Sequence, residues 1–290
     1  MADFDRPALV EFAQDSIARG SKSFRFASRL FDRTTRERVW LLYAWCRKCD
    51  DMADGQDHGG AMETVTDPQQ SLAAIRTLTA TALAGTPTGE PAFDCLGVVA
   101  RECGITARMA EDVIEGFALD AADWHPRRES DLYQYCYHVA GAVGVMMAVV
   151  MGVRADDDAT LDRACDLGLA FQLANIARDI AEDDAAGRCY LPDDWLAMLD
   201  IGPGEHMKPH NRKKLALMGR WLADEAEQYE ASARVGAANL PLRARWAVLS
   251  AAGIYGEIAR KVRAADAHAW DQRIFTSRPE KFRWVRKAFV

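Results

Sequence analysis

Apolar residues return every three or four positions along almost the whole of this chain, and no hairpin signature interrupts them. That period is the signature of helices that bury one face. "TTRERVWLLYAWCRKCDDMAD" opens on a capping box, Thr34 with Glu37, and stops at Gly55. "SLAAIRTLTATALAG" and "RMAEDVIEGFALDAADW" are amphipathic, whereas "DLYQYCYHVAGAVGVMMAVVMGV" and "ATLDRACDLGLAFQLANIARDIAEDDAAG" are long and mostly apolar, the latter stopping at Gly187. "HNRKKLALMGRWLADEAEQYEASARVG", "PLRARWAVLSAAGIYGEIARKVRAADAHAW" and a short segment after Pro279 complete the helical set. No regular repeat of roughly 20–50 residues is visible. The pattern predicts an all-α, single-domain bundle over 1–290, and 49% hydrophobic residues suffice for its core.

A net charge of −7 argues against a nucleic-acid partner. The seven cysteines are scattered and suggest no disulfide framework, so a reducing cytoplasm is the expected setting. "MADFDRPALVEFAQ" lacks the basic and apolar regions of a signal peptide. The apolar stretch 139–153 is shorter than the ~18 residues of a membrane span and reads as a buried helix.

Two acidic clusters break this pattern. On a helix ending at Asp54, the residues Tyr43, Arg47, Asp50, Asp51 and Asp54 share roughly one face. Like charges one turn apart cost ~0.2–0.5 kcal/mol per pair, and the helix dipole disfavours anions at a C-terminus. Two local rules broken together mark a functional site. Mg²⁺ would explain both, because it takes carboxylate oxygens, waters and substrate phosphates. In "FQLANIARDIAEDD" the residues Gln172, Asn175, Asp179 and Asp183 cut a polar stripe into a helix whose neighbours are apolar. A carboxylate in such surroundings requires a partner. Two acidic ridges facing each other across a bundle would bind Mg²⁺ and a diphosphate.

Other chemistries fit less well. "WCRKC" matches a thioredoxin-type motif, but both cysteines fall late in a helix rather than at its N-terminus, where a thiolate is stabilised. One C-x-x-C is too few ligands for zinc, no Glu-x-x-His pair offers a di-iron site, and no dinucleotide or P-loop motif is present. A non-enzymatic scaffold would not require acids on the inward stripes of two apolar helices.

"YAWCRKCDDMADG", "YCYHVAGAVG" and "QLANIARDIAEDDAAGRCYLP", in that order, resemble the marker motifs of the squalene and phytoene synthase family, its bacterial phytoene-forming branch most of all. The similarity runs from "GSKSF" (20–24) to "AWDQR" (269–273). It implies an isoprenoid-synthase helical bundle around a central apolar cavity. It also implies Mg²⁺- or Mn²⁺-dependent head-to-head joining of two geranylgeranyl diphosphates, without NADPH. Carried over by motif, Asp50, Asp51, Asp54, Asp179 and Asp183 would bind metal, with Asn175 and Asp184 as further ligands. Ser21, Lys22, Arg47, Arg178, Arg188, Tyr190 and Arg273 would contact diphosphate, and Gln172 lies on the same stripe. Tyr43, Tyr137 and Tyr255 would face the cavity, and Gly141, Ala142, Gly144 and Ala148 could leave space for a prenyl tail. The histidine that some relatives carry before "SKSF" is Gly20 here. The alternatives are a squalene or dehydrosqualene synthase using farnesyl diphosphate, then a trans-prenyltransferase or terpene cyclase. The basic, aromatic last twenty residues suit either peripheral membrane contact or docking on the bundle, and downstream carotenoid enzymes are conceivable partners.

Overall fold

The computed structural model describes residues 4–20, 27–54, 68–122 and 124–289, and within them every regular element is helical. The first part of the chain forms α1 (Arg6–Gly20), α2 (Arg33–Asp54), α3 (Pro68–Leu83), α4 (Pro91–Cys103) and α5 (Ala107–Ala121). There follow α6 (Glu129–Cys136), α7 (Ala142–Val150), α8 (Asp158–Ala185), α9 (Asp193–Met198), α10 (Arg212–Gly236), α11 (Leu242–Ala265) and α12 (Arg278–Lys287). None is long and apolar enough to cross a membrane. Contacts gather the chain into two compact units: Met1–Asp123 with Val145–Leu161 and Asn239–Ala247, and Trp124–Gly144 with Asp162–Ala238 and Val248–Val290.

In the first unit α2 packs against α1 and α4, and α3 against α4 and α5. Trp45 is fully buried, its indole N–H donating to Thr79 Oγ1 at 3.2 Å. Arg6 of α1 reaches Glu37 of α2 (2.8 Å) and Glu102 of α4 (2.5 Å), and Arg38 joins Glu102 at 2.8 Å. This engagement corrects the expected start of α2. Glu37 is held by Arg6 and Arg33 and caps nothing. Asp32 is the N-cap instead, accepting the Thr35 N–H at 3.0 Å, with the helix running two residues further back than the Thr34 box implies. Cys46, partly accessible, and Cys49, buried, lie in the last third of α2, and desolvation pushes the Cys46 thiol up to about 12 and Cys49 well above its ordinary value. Neither is a poised thiolate.

In the second unit the segment expected as one long helix through 131–153 is interrupted. Tyr137–Gly141 form a π-helical turn, with the Ala142 N–H bonded back to Tyr137 O, before α7 begins. This stretch lies backbone to backbone on α8. A Cβ on Gly144 would strike Ala164 O, and one on Gly168 would strike Ala140 O and approach Gly141 Cα to 2.7 Å. A Cβ on Gly141 would meet Leu169 Cδ1 and Cys165 Sγ at 2.7 and 2.8 Å. The small residues at 141 and 144 are therefore consumed by helix packing and leave no tail-sized space of their own. Gly168→Ala is expected to lower stability by about 1–3 kcal/mol, because the facing atoms are main chain and cannot rotate away. A circular-dichroism melt should show a loss of several degrees; an unchanged midpoint would mean the two segments do not touch.

Candidate active site

In the first unit, Asp50 and Asp51 lie in the last turn of α2. The Arg47 guanidinium bridges them, with Nη1 2.9 Å from Asp50 Oδ2 and Nε donating to Asp51 Oδ1 at 2.9 Å. Spacings of three and four put one cation between two acids, which relieves the repulsion that the sequence alone presents. Asp51 is buried at 9% exposure, while the Asp50 side chain is 40% exposed. Tyr43, one turn before Arg47, is half-buried, and burial pushes its hydroxyl up to about 12. Gly20 lies against it: a Cβ there would strike the Tyr43 hydroxyl oxygen. The absence of a side chain at 20 thus makes room for the tyrosine. Asp54 closes α2, its side chain lying outside the described ones, and Ser21 and Lys22 also fall outside the described residues.

In the second unit the polar stripe of α8 is as expected. Gln172, Asn175, Asp179 and Asp183 are partly accessible, whereas Leu173, Ala174, Ile176, Ala177 and Ile180 are buried. Asp179 receives two arginines, Arg178 Nε at 2.7 Å and Arg273 Nη2 at 3.0 Å. Arg273 comes from beyond α11, and the neighbouring Trp270 anchors its segment by donating its indole N–H to Ala177 O at 3.0 Å. Asp183 is raised to about 6 by burial first and by the charge of Asp179 second, with Arg188 opposing. Asn175 Oδ1 is buried without a hydrogen-bond partner.

The end of α8 fixes Arg188. Gly187 adopts φ +75°, its N–H returns to Asp184 O (2.9 Å), and the Arg188 N–H returns to Asp183 O (2.8 Å). This Schellman turn requires a left-handed residue at 187, which glycine supplies without a Cβ penalty. Asp183, Arg188, Tyr190 and His206 then line a small crevice floored by Ile176 and Ile180. Tyr190 is the end of an aromatic stack with Tyr135 (4.9 Å) and Trp124 (5.2 Å from Tyr135). Tyr255 stacks on Phe171 at 4.2 Å, and burial raises its hydroxyl. Tyr137 sits in the π turn, edge-on to His138 at 5.1 Å.

His206 escaped the sequence reading. It is 3% exposed, its Nε2 is 3.3 Å from Asp184 Oδ1, and burial lowers its pKa. It arrives from the irregular segment "GPGEHMKPH", where no periodicity singles it out. Phe171 was legible only as an apolar neighbour of Gln172.

The donor set fits a hard divalent cation. It offers carboxylate and amide oxygens, one of them an orphaned buried acceptor, with guanidinium groups nearby for phosphate. Among the described residues no three acidic, histidine or cysteine side chains converge as a closed metal centre. An incomplete set is what Mg²⁺ uses when substrate phosphates supply the remaining oxygens.

The sequence matches the family model described as squalene/phytoene synthase over residues 17–280. The chain belongs to the squalene/phytoene synthase family. This synthase is 48% identical to a phytoene synthase of Pseudescherichia vulneris, covering 98% of the chain and 92% of that relative. It is also 48% identical to a 15-cis-phytoene synthase of Pantoea ananas, over 96% and 90% respectively. Among solved structures, the synthase is similar to a ligand-bound dehydrosqualene synthase with a TM-score of 0.85 and 25% identity, covering 98% and 96% of the two chains. A squalene synthase from Alicyclobacillus acidocaldarius, at 21% identity and a TM-score of 0.78, shares the fold over 91% of this chain and 97% of that one. The family's all-α isoprenoid-synthase architecture is therefore the architecture of this synthase.

Proposed function

We propose that the chain is a 15-cis-phytoene synthase, a prenyltransferase that joins two geranylgeranyl diphosphates head to head through prephytoene diphosphate. The observation that carries the reading is the α8 stripe: a partnerless buried Asn175 oxygen one turn from Asp179, and a second carboxyl, Asp183, held high by burial. The relatives' names supply the substrate class. We take the two units to work as one synthase domain, in keeping with a family model that spans both.

Asp50, Asp51 and Asp54 on α2, and Asn175, Asp179 and Asp183 on α8 with Asp184 beside them, would hold Mg²⁺ or Mn²⁺. When bound, the metal neutralises charge developing on the departing diphosphate. Arg47, Arg178 and Arg273 now rest on these carboxylates. Carboxylates engaged by metal would release the guanidiniums to bind diphosphate oxygens, with Arg188, Tyr190, Ser21 and Lys22 as further contacts and Gln172 as a polar neighbour on the stripe. Tyr43, Tyr137 and Tyr255 would present aromatic faces to the allylic cation, and the apolar residues beside them would keep water from it. Loss of a proton in the final step gives the central double bond without a hydride donor, so no NADPH is required. The setting would be the cytoplasm, at the surface of a membrane that holds substrate and product, with downstream carotenoid enzymes within reach.

The resemblance to a dehydrosqualene synthase structure favours farnesyl diphosphate as the second reading. Incubation with either diphosphate and Mg²⁺, with and without NADPH, separates them by product mass. Phytoene from geranylgeranyl diphosphate, formed equally well without NADPH, is the expected result. A product made only from farnesyl diphosphate, or only with NADPH, would overturn the assignment.

A further inference from the structure

Three of the six large apolar side chains left exposed among the described residues are phenylalanines of one short segment: Phe275 (69%), Phe282 (62%) and Phe289 (67%). Phe282 lies within the helix Arg278–Lys287, while Phe275 and Phe289 flank it in the segments just before and just after. The segment's other aromatic, Trp284, lies about 200° from Phe282 around α12 and points the opposite way. Trp284 docks on α11, where its indole N–H donates to Glu257 Oε2 at 3.1 Å and the Arg260 guanidinium lies 5.0 Å from the ring. It rests on the backbone at Gly253, where any Cβ would strike the ring. Thr276 Oγ1 donates to Ile254 O at 2.7 Å, and Lys261 Nζ binds both Phe275 O (2.9 Å) and Glu280 (2.7 Å). A capping box between Ser277 and Glu280 starts the helix. The docking reading of this segment thus accounts for one face of α12, and the other face is turned outward.

The two faces differ in charge. The single acid of α12, Glu280, lies on the docked side and is committed to Lys261. Arg278 and Arg286 lie within about 40° of Phe282 and are exposed, with Lys281 and Arg283 on the flanks. In a chain of net charge −7 this outward face carries phenylalanine and cations and no acid.

We propose that the outward face of α12, with Phe275 and Phe289 at its ends, docks the synthase on an anionic lipid bilayer. The cations meet headgroup phosphates, and the phenylalanine rings enter the boundary between headgroups and acyl chains. The charge pattern selects this occupant over an apolar protein groove, which would leave Arg278 and Arg286 facing nothing. The inference deepens the membrane setting proposed above, and it explains how a lipid substrate reaches the enzyme without crossing water.

Flotation of the 290-residue chain, without substrate, on phosphatidylcholine vesicles containing about a quarter phosphatidylglycerol tests the surface itself. Binding should be at least ~tenfold stronger than on pure phosphatidylcholine and should fall in about 0.5 M salt. Phe282→Ser with Phe289→Ser, and separately Arg278→Glu with Arg286→Glu, should each weaken it at least ~tenfold while melting midpoint and turnover of detergent-dispersed substrate stay unchanged. Equal binding of wild type and both variants, or equal binding to both vesicle types, overturns the proposal. So does a dimer in light scattering that the Phe282→Ser variant abolishes, which would give the face to a second copy. Because turnover is read apart from binding, failure of the phytoene assignment and failure of the docking face give different results.

Discussion

Asp179→Ala is expected to lower turnover by about 1,000-fold, on the order of 4 kcal/mol of transition-state stabilisation, while the far-ultraviolet circular dichroism stays helical. Asp179 is the point where the two arginines of the second unit meet, Arg178 from its own helix and Arg273 from the segment after α11. Its loss removes a proposed metal oxygen and also leaves the half-buried Arg178 without its bonded carboxylate. Helix content persists because Leu173, Ile176 and Ile180 hold α8 in the core and are untouched. Raising Mg²⁺ should not restore the rate, since the ligand itself is missing. Retention of more than a tenth of wild-type turnover would remove this helix from the chemistry.

Asp183→Asn should move activity and stability in opposite directions. The carboxyl is raised from 3.8 to about 6 by burial and by Asp179. A carboxyl raised on folding binds its proton more tightly in the folded state. In the metal-free protein its contribution is therefore neutral below about pH 4, becomes unfavourable as pH climbs from about 4 to about 6, and stays unfavourable above. Discounted for solvent screening at a partly accessible site, the penalty at neutral pH is about 1–2 kcal/mol. The asparagine variant should accordingly melt about 2–4 °C higher than wild type at pH 8 and at the same temperature at pH 4. Turnover should nevertheless drop about 100-fold or more, because the group that weakens the resting fold is the one proposed to receive the cation. A melting difference that ignores pH, or a variant that turns over normally, would contradict the assignment. Such a trade between fold and chemistry is expected where a carboxylate is buried for use.

How much of this was legible in the sequence follows from where the signal lies. The α8 stripe was readable because polar residues at three- and four-residue spacing stand out against buried apolar neighbours. Gly187 was readable as a stop because its left-handed φ is something few other residues supply. α4 went unread although its signals are local: Pro91 opens it, Gly104 closes it at φ +80°, and its apolar residues keep an amphipathic period that buries Ala92, Phe93 and Cys95 through Ala100. The N-cap of α2 was misplaced by two residues because Glu37 fits a capping box locally but is claimed by Arg6, which lies far away in sequence. The glycines of "VAGAVGV" can mean space or close approach in any sequence. Only the Ala164 carbonyl facing Gly144, and the Leu169 and Cys165 side chains facing Gly141, decide for close approach. His206 depends on a fold-back that no local pattern encodes.

Burial leaves one trait that spans the chain. All seven cysteines are unpaired, and at every one of them burial raises the thiol above its ordinary value. Peroxides and alkylating reagents act on the ionised sulfur, so a thiol raised by burial is a slower target for them while the chain stays folded.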